Sequence, residues 1–348
     1  MEKVKTSLKN IGAARAIIIA FLVVLIITAA VQGQNMAALA GDSLVRFGMN
    51  LLLTLAMVPA VMSGTGMNFG LPVGILCGLF GALTSIELGL TGAASFAVAI
   101  AISVPIAVVV GWLYGKLLNS VKGNEMMIGT YVGYSIVSLM SIVWLLLPYH
   151  NPALVWPIAG KGVRNTISLD ETFGGILDRF AAFNLFGVQI PTGLLLFGLA
   201  SCLLMYLFTR SKTGIALSVS GDNPRFAESN GISVDRSRII GTILSTVLAA
   251  IGILVYAQSF NLLQLYQAPL QMAFAPVAAA LLGGASTSKI KISHVLVGTL
   301  LFQSLLVIAL PVANELMPEG NLSEVIRLIV SNGIILFALA QAGGGKSE

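Results

Sequence analysis

The chain has 348 residues, of which 57% are hydrophobic and only 9% are charged, and its mean hydropathy is +0.94. Because a soluble domain carries about 25% charged residues, this composition excludes a soluble globular protein. It also leaves no stretch of soluble composition large enough for an attached catalytic domain. We interpret the formal net charge of +5 as a signal of membrane topology, and not of nucleic-acid binding.

Apolar runs follow one another along the chain, and most are close to the ~20 residues that a helix needs to cross a bilayer. The sequence therefore predicts an all-α integral membrane protein with about ten transmembrane helices, some of them short or broken by Gly and Pro. The predicted spans are 14–32, 45–63, 71–88, 93–117, 126–148, 191–209, 237–258, 268–284, 294–314 and 324–342.

The first run follows a basic segment and resembles a secretion signal. It is long enough to span the bilayer, and no small-residue cleavage site follows it, so a retained first helix is predicted. We predict a cytoplasmic N-terminus over residues 1–13, a single membrane domain over 14–342 and a flexible cytoplasmic tail over 343–348.

Basic residues divide unevenly between the two sides that these spans define. One side carries most of the 19 Lys and Arg residues, namely Lys3, Lys5, Lys9, Arg15, Lys116, Lys122, Arg210, Lys212, Arg225, Arg236, Arg238, Lys289, Lys291 and Lys346. The other side or its margin holds Arg46, Lys161, Arg164, Arg179 and Arg327. Because the basic side of a membrane protein faces the cytoplasm, both termini and loop 210–238 are predicted to be cytoplasmic, and loop 149–190 extracytoplasmic.

The sequence predicts broken helices at two places, residues 63–70 ahead of Pro72 and the short segment around Pro269 and Pro276. Unwound backbone at membrane depth is tolerated only inside the protein or beside a wet cavity, so we expect a solute path there. The candidate path residues, mostly neutral amides, are Asn50, Asn68, Phe69, Gln258, Asn261, Gln264 and Gln271. The alternative is that the amides only hydrogen-bond the helices to one another.

No catalytic or metal site is predicted. His150 and His294 fall at opposite membrane faces, and Cys77 and Cys202 lie within apolar runs. The glycine-rich tail lacks the first glycine and the strand and helix context of a phosphate-binding loop. Any nucleotide must therefore be bound by another chain.

Loop 210–238 is the most polar part of the sequence, and it contains the signals of one short helix. Asp222 or Asn223 can cap its start, and Pro224 suits a first helical turn. Asn230 and Gly231 provide a stop. A helix of under two turns is not stable alone and must pack on something, unless it is simply a solvated turn.

Several motifs of this sequence, taken in order, resemble those of ABC-importer permeases of the ribose, simple-sugar and nucleoside branch. The motifs are Thr213-Gly214-Ile215-Ala216, Gly221-Asp222-Asn223-Pro224-Arg225-Phe226-Ala227, Asn230-Gly231-Ile232, the Ala-rich run 277–284 ending in Gly-Gly, and Gly66-Met67-Asn68-Phe69. The pattern departs from the family at Gly70 and Pro72, and at Thr246 and Ala250, where the family has glycine.

The resemblance implies that loop 210–238 holds the helix that docks on an ATPase subunit. It assigns that coupling role to Gly221, Asp222, Asn223, Pro224, Arg225, Ala227 and Gly231. It further implies that ATP and Mg are bound by the partner ATPase and that this chain binds no cofactor. An extracytoplasmic solute-binding protein and a second permease, identical or paralogous, are the other expected partners, in a bacterial inner membrane.

The resulting hypothesis is import of a small polar solute, a simple sugar or a nucleoside. An ion-coupled secondary transporter is the main rival, although it usually needs a carboxylate at membrane depth and none is evident in the sequence. A passive channel is a second rival. Loop 149–190 is either a docking surface for the binding protein or a cover for the span ends.

Overall fold

The structure, a computed structural model, describes residues 13–155, 162–316, 325, 328–329 and 332–336. The helices are α1 (Ala13–Val31), α2 (Met36–Leu55), α3 (Met57–Met62), α4 (Leu71–Glu87), α5 (Gly92–Ser120), α6 (Glu125–Leu146), α7 (Ile176–Arg179), α8 (Thr192–Thr209), α9 (Lys212–Asp222), α10 (Pro224–Ser229), α11 (Val234–Phe260), α12 (Ala268–Gln271), α13 (Phe274–Leu282) and α14 (Ile292–Leu316). The strands are β1 (Thr166–Ser168), β2 (Phe183–Leu185), β3 (Val188–Ile190) and β4 (Leu262–Gln264).

Within the described residues, six helical stretches are long and apolar enough to cross a membrane. They are Met36–Met62, Gly92–Ser120, Glu125–Leu146, Thr192–Thr209, Val234–Phe260 and Ile292–Glu315. Three shorter apolar helical stretches are Ala16–Val31, Leu71–Glu87 and Ala268–Leu282. Together these correspond to the first nine predicted spans. The tenth, 324–342, lies largely outside the described residues, so the count of ten is not confirmed.

The second span begins well before residue 45, where the sequence pattern placed its start. Asn35 caps α2, because its side-chain oxygen accepts a hydrogen bond from the backbone N–H of Ala38 at 3.1 Å. The first turns of α2 contain Asp42 and Arg46, which interrupt the apolar run. At the other end Pro59 lacks the N–H that would bond the carbonyl of Leu55, and the helix is broken there into α2 and α3.

The centre of the bundle is formed by α2, α4 and α11, with α5 packed against both α4 and α11. The most apolar part of the α2–α3 span is 78% buried, whereas that of α6 is only 17% buried. Of the six long stretches, the one whose apolar part is most buried therefore leads directly into the break at residues 63–70. The broken segment is enclosed by protein on several sides.

Small residues allow α4 and α11 to approach closely. A Cβ atom added at Gly74 would collide with the carbonyl oxygen of Thr246, and one at Gly78 with that of Ala250. Close backbone approach through small residues is the usual packing mode of helices in membranes. Thr246 and Ala250 of α11 are the two positions where the pattern of the resembled family has glycine. In this chain the glycines at the contact are Gly74 and Gly78, on α4.

The expectation of a purely helical fold needs one correction, because short strands cover one end of the bundle. β1 pairs antiparallel with β4, with Ile167 opposite Leu263, and β2 pairs with β3 as a hairpin. This strand end lies opposite the basic end, which we define by loop 210–238 and the N-termini of α6 and α11. Strand pairing provides hydrogen-bond partners for the backbone N–H and C=O groups of a loop that runs between helix ends.

Candidate coupling loop and solute path

Loop 210–238 contains two helices, α9 and α10, where the sequence predicted one. Ser211 caps α9, and Asn223 caps α10 by accepting a hydrogen bond from the Phe226 N–H at 3.1 Å. Gly231 ends the loop helix with a φ of +76°, which glycine adopts without strain. The predicted helix is therefore present as α10. Asp222, one of the two predicted caps, is instead the last residue of α9.

The coupling residues implied by the resemblance lie on two different faces of the loop. Ala227 is wholly buried, and Gly221 lies against the bundle, because a Cβ atom there would be 2.8 Å from the backbone nitrogen of Gly64. The remaining members of the set are exposed, namely Asp222, Asn223, Pro224, Arg225 and Gly231. Beside them Phe226 is 56% exposed, a large apolar side chain on the most polar loop.

Asn68 lies inside the bundle, in the segment between α3 and α4. Its side-chain nitrogen donates to the hydroxyl of Ser245 on α11 at 2.8 Å, and its side-chain oxygen accepts from the hydroxyl of Tyr114 on α5 at 3.1 Å. Phe69 packs next to it against Phe274, with ring centroids 5.9 Å apart. Both functional groups of the Asn68 amide are thus used in holding the broken segment between two helices.

Gln258 and Asn261 lie at the strand end, about 20 Å along α11 from Ser245 at 1.5 Å per residue. The Gln258 side chain accepts from the backbone N–H of Leu177 at 3.1 Å and donates to Ser259 at 2.6 Å. Asn261 has a left-handed backbone with a φ of +62°, and its side chain donates to Asp170. These bonds fasten the end of α11 to the loop before α8.

A cavity of about 290 Å³ adjoins this network and is lined in part by Asp178, Gln189, Gln258 and Asn261. The Asp178 carboxylate accepts from Ser259 at 2.9 Å. Burial raises the pKa of Asp178 above its ordinary value, against the opposing effect of that hydrogen bond. Hydrogen bonds from Ser168 and Asn261 lower the pKa of the exposed Asp170 instead.

Gln264 lies on β4 and lines a separate cavity of about 510 Å³ at the strand end. The polar lining of this cavity is neutral and consists of Asn165, Thr166, Gln264, Tyr266 and Gln267.

The two remaining predicted path residues line neither cavity. Gln271 is exposed at the end of α12. Asn50 is buried in α2, where its side chain donates to the carbonyl of Arg46 at 2.9 Å.

The structure therefore does not gather the seven predicted path residues into one group. Gln258 and Asn261 line one cavity, Gln264 lines another, and Asn68 is bonded between α5 and α11. For Asn68 and Gln258, the observed hydrogen bonds are of the kind that the alternative describes, since they reach other helices, whereas the Asn50 side chain bonds a carbonyl of its own helix.

Sequence reasoning missed a buried ion pair at the basic end, between Arg238 on α11 and Glu125 at the start of α6. Both residues stand at ends of predicted spans, and the sequence analysis used Arg238 only as a marker of the cytoplasmic side. The pair could have been predicted from the sequence, because Glu125 stands at the start of one span and Arg238 at the start of another, at the same membrane face. Opposite charges in such positions can pair.

Spanning helices around an interior break, with a capped helix beyond them, define a multi-pass membrane protein. The sequence matches the family described as "Branched-chain amino acid transport system / permease component" over residues 8–339. The chain belongs to this family, and its resemblance to ABC-importer permeases is confirmed.

A curated relative is the "Nucleoside ABC transporter permease protein NupB" of Lactococcus lactis subsp. cremoris (strain MG1363). It is 25% identical to the chain over 243 residues, which are 67% of this chain and 62% of that protein. The match thus spans less than two thirds of the relative's length. No solved structure matches the chain.

Proposed function

We propose that this chain is the membrane subunit of an ATP-driven importer that forms the path for a simple sugar or a nucleoside. ATP and Mg bind to a partner ATPase, which docks on loop 210–238. A solute-binding protein delivers the cargo at the strand end, and a second permease, identical or paralogous, completes the path. Both termini lie in the cytoplasm of a bacterial cell, and the chain resides in the inner membrane.

The observation that carries this proposal is the exposed face of α10 in a chain of the permease family. The helix α10 is too short to be stable alone, but Asn223 caps its start and the buried Ala227 packs it against the bundle. Arg225 and Phe226 then point a charge and an aromatic ring away from the protein. Exposed Arg and aromatic residues are typical anchors of protein interfaces.

The choice of solute rests on the polar cavity beside β4 and on the name of the relative. The lining combines neutral amides and hydroxyls with the apolar Leu145 and Ala268 and contains no charged side chain, which suits a hydroxyl-rich neutral solute. The cavity volume of about 510 Å³ falls within the range of about 300–1,000 Å³ that small-molecule sites occupy. The nucleoside transport that the relative's name describes fits the same chemistry.

The test is co-expression with candidate ATPase and binding-protein genes, followed by purification of the complex and measurement of ATP hydrolysis. Arg225→Glu together with Phe226→Ala should abolish retention of the ATPase, since both side chains are exposed on α10. Glu171→Arg, a charge reversal at an exposed residue of the strand end, is the matched control and should retain it.

A different result would refute the proposal. If the native chain retains no ATPase, and vesicles containing it alone accumulate solute on a proton or sodium gradient, the chain is a secondary transporter. If the α10 variant retains the ATPase as well as the native chain does, the docking surface lies elsewhere.

A further inference from the structure

A buried arginine at the basic end joins three parts of the chain that are distant in sequence. The Arg238 residue is 7% exposed. Its guanidinium donates to the carboxylate of Glu125 at 2.5 Å, to the side-chain oxygen of Asn119 at 2.8 Å, and to the carbonyls of Gly64 and Leu118 at 3.3 and 3.4 Å. A buried charge is tolerated when it is paired and hydrogen-bonded, and here the charge is paired and each of the three guanidinium nitrogens donates at least one hydrogen bond.

One of these acceptors belongs to the segment on which loop 210–238 rests. Gly64 has a φ of +80°, and an added Cβ atom there would lie 3.0 Å from the Cα atom of Gly221 on α9. The hydroxyl of Ser220 also donates to that of Ser237, the neighbour of Arg238, at 3.0 Å. The end of α9 thus touches both the broken segment and the part of α11 that carries Arg238.

The same segment is held again at a deeper level, by Asn68. That amide bonds Ser245 of α11 and Tyr114 of α5, the two helices whose basic ends Arg238 joins. Ser245 lies about 10 Å beyond Arg238 along α11, at 1.5 Å per residue. The segment is therefore held between α5 and α11 at two depths, and the outer contact is the hydrogen bond from Arg238, itself paired with Glu125, to the Gly64 carbonyl.

We propose that Arg238, held by Glu125, is the positioning residue that transmits movement of α9 and α10 to the broken segment at residues 63–70. This inference rests on the proposed function, in which loop 210–238 docks on an ATPase. The planar guanidinium carries five N–H donors in a fixed geometry, so it binds carbonyl, amide and carboxylate oxygens together. A lysine ammonium, a point charge on a flexible stem, cannot hold all four acceptors in the same arrangement.

The experiment measures solute taken up per ATP hydrolysed by the complete importer reconstituted in vesicles. Arg238→Lys, Arg238→Gln and Glu125→Gln should retain the ATPase and continue to hydrolyse ATP, since the α10 surface is unchanged. The uptake ratio should fall about five-fold or more, the lower range of typical coupling energies between sites.

The matched control is Lys122→Gln. It breaks an ion pair at the same end, between Lys122 and Asp235 at 2.6 Å, in which both side chains are more than half exposed. Exposed pairs contribute little, so this variant should keep the native uptake ratio.

Two results would overturn the inference. One is an unchanged uptake ratio in Arg238→Lys and Arg238→Gln. The other is a parallel fall of uptake and hydrolysis with the amount of folded complex, which indicates a purely stabilising pair. If Arg238→Gln does not assemble, Arg238→Lys decides the question. The proposed function fails separately, when the native chain itself retains no ATPase.

Discussion

At the scale of single residues, the contact between α4 and α11 depends on the absence of side chains. Gly74 faces both the carbonyl of Thr246 and the Cβ atom of Ala249, to which an added Cβ atom would lie 2.7 Å away. Rotation of a side chain cannot relieve such a collision, because backbone atoms of α11 form part of the contact.

We predict that Gly74→Val separates the two helices and lowers the melting temperature of the detergent-purified protein. Inserting bulk into a well-packed interior costs about 1–3 kcal/mol. Thermal unfolding followed by intrinsic fluorescence measures the change.

The control for this substitution is Ala101→Val, at an exposed position of α5, which should melt with the native protein. Equal melting temperatures for Gly74→Val and the native chain would contradict the packing described for α4 and α11.

At the scale of elements, composition and periodicity predicted the spans well and the irregular segments poorly. Apolar runs mark a span because the bilayer interior selects for them, whereas the start of α2 was obscured by Asp42 and Arg46. The strand β4 was unpredictable locally, because its partner β1 lies about a hundred positions earlier in the chain. Gln264, which the sequence analysis assigned to the solute path, is the last residue of this strand.

The loop helices show the same division between local and distant signals. α10 was predicted because its cap, its proline and its stop are all local in sequence. α9 was missed, since it has no continuous apolar face. It packs through Gly221 against Gly64, a residue far away in the chain. The roles of Asn68 and Arg238 likewise depend on partners that no local pattern reveals.

The stability of α10 depends on its cap, which gives a prediction at this scale. Asn223→Ala removes the acceptor for the Phe226 N–H and should cost about 1 kcal/mol of local helix stability. Amide hydrogen exchange at residues 226–229 should then be several-fold faster in the isolated chain. Asn223→Asp keeps an acceptor at the same place and should exchange as the native chain does. Unchanged exchange in the alanine variant would show that Ala227 alone holds the helix.

At the scale of the whole molecule, the two ends of the bundle differ in charge and in architecture. The basic end has helical loops and a buried ion pair, while the strand end has two short antiparallel sheets and polar cavities. This difference fits the proposed orientation, with an ATPase at one end and delivery of the solute at the other.

The orientation can be tested with single cysteines and a thiol reagent that does not cross membranes. Glu228→Cys should react only when the cytoplasmic side is opened, and Glu171→Cys should react in intact cells, since both positions are exposed. The native cysteines, Cys77 and Cys202, are each only 5% exposed and should contribute little background. Labelling of both positions from the same side would refute the assigned topology.

The close approach of Gly221 to Gly64 limits how loops can be exchanged between relatives. A loop 210–238 grafted from another permease would seat on this bundle only if its residue at position 221 had no side chain, or if the recipient segment were grafted with it. Chimaeras designed to pair this chain with a foreign ATPase should therefore exchange residues 62–66 together with the loop. The two segments form one transferable unit, although more than a hundred residues of sequence separate them.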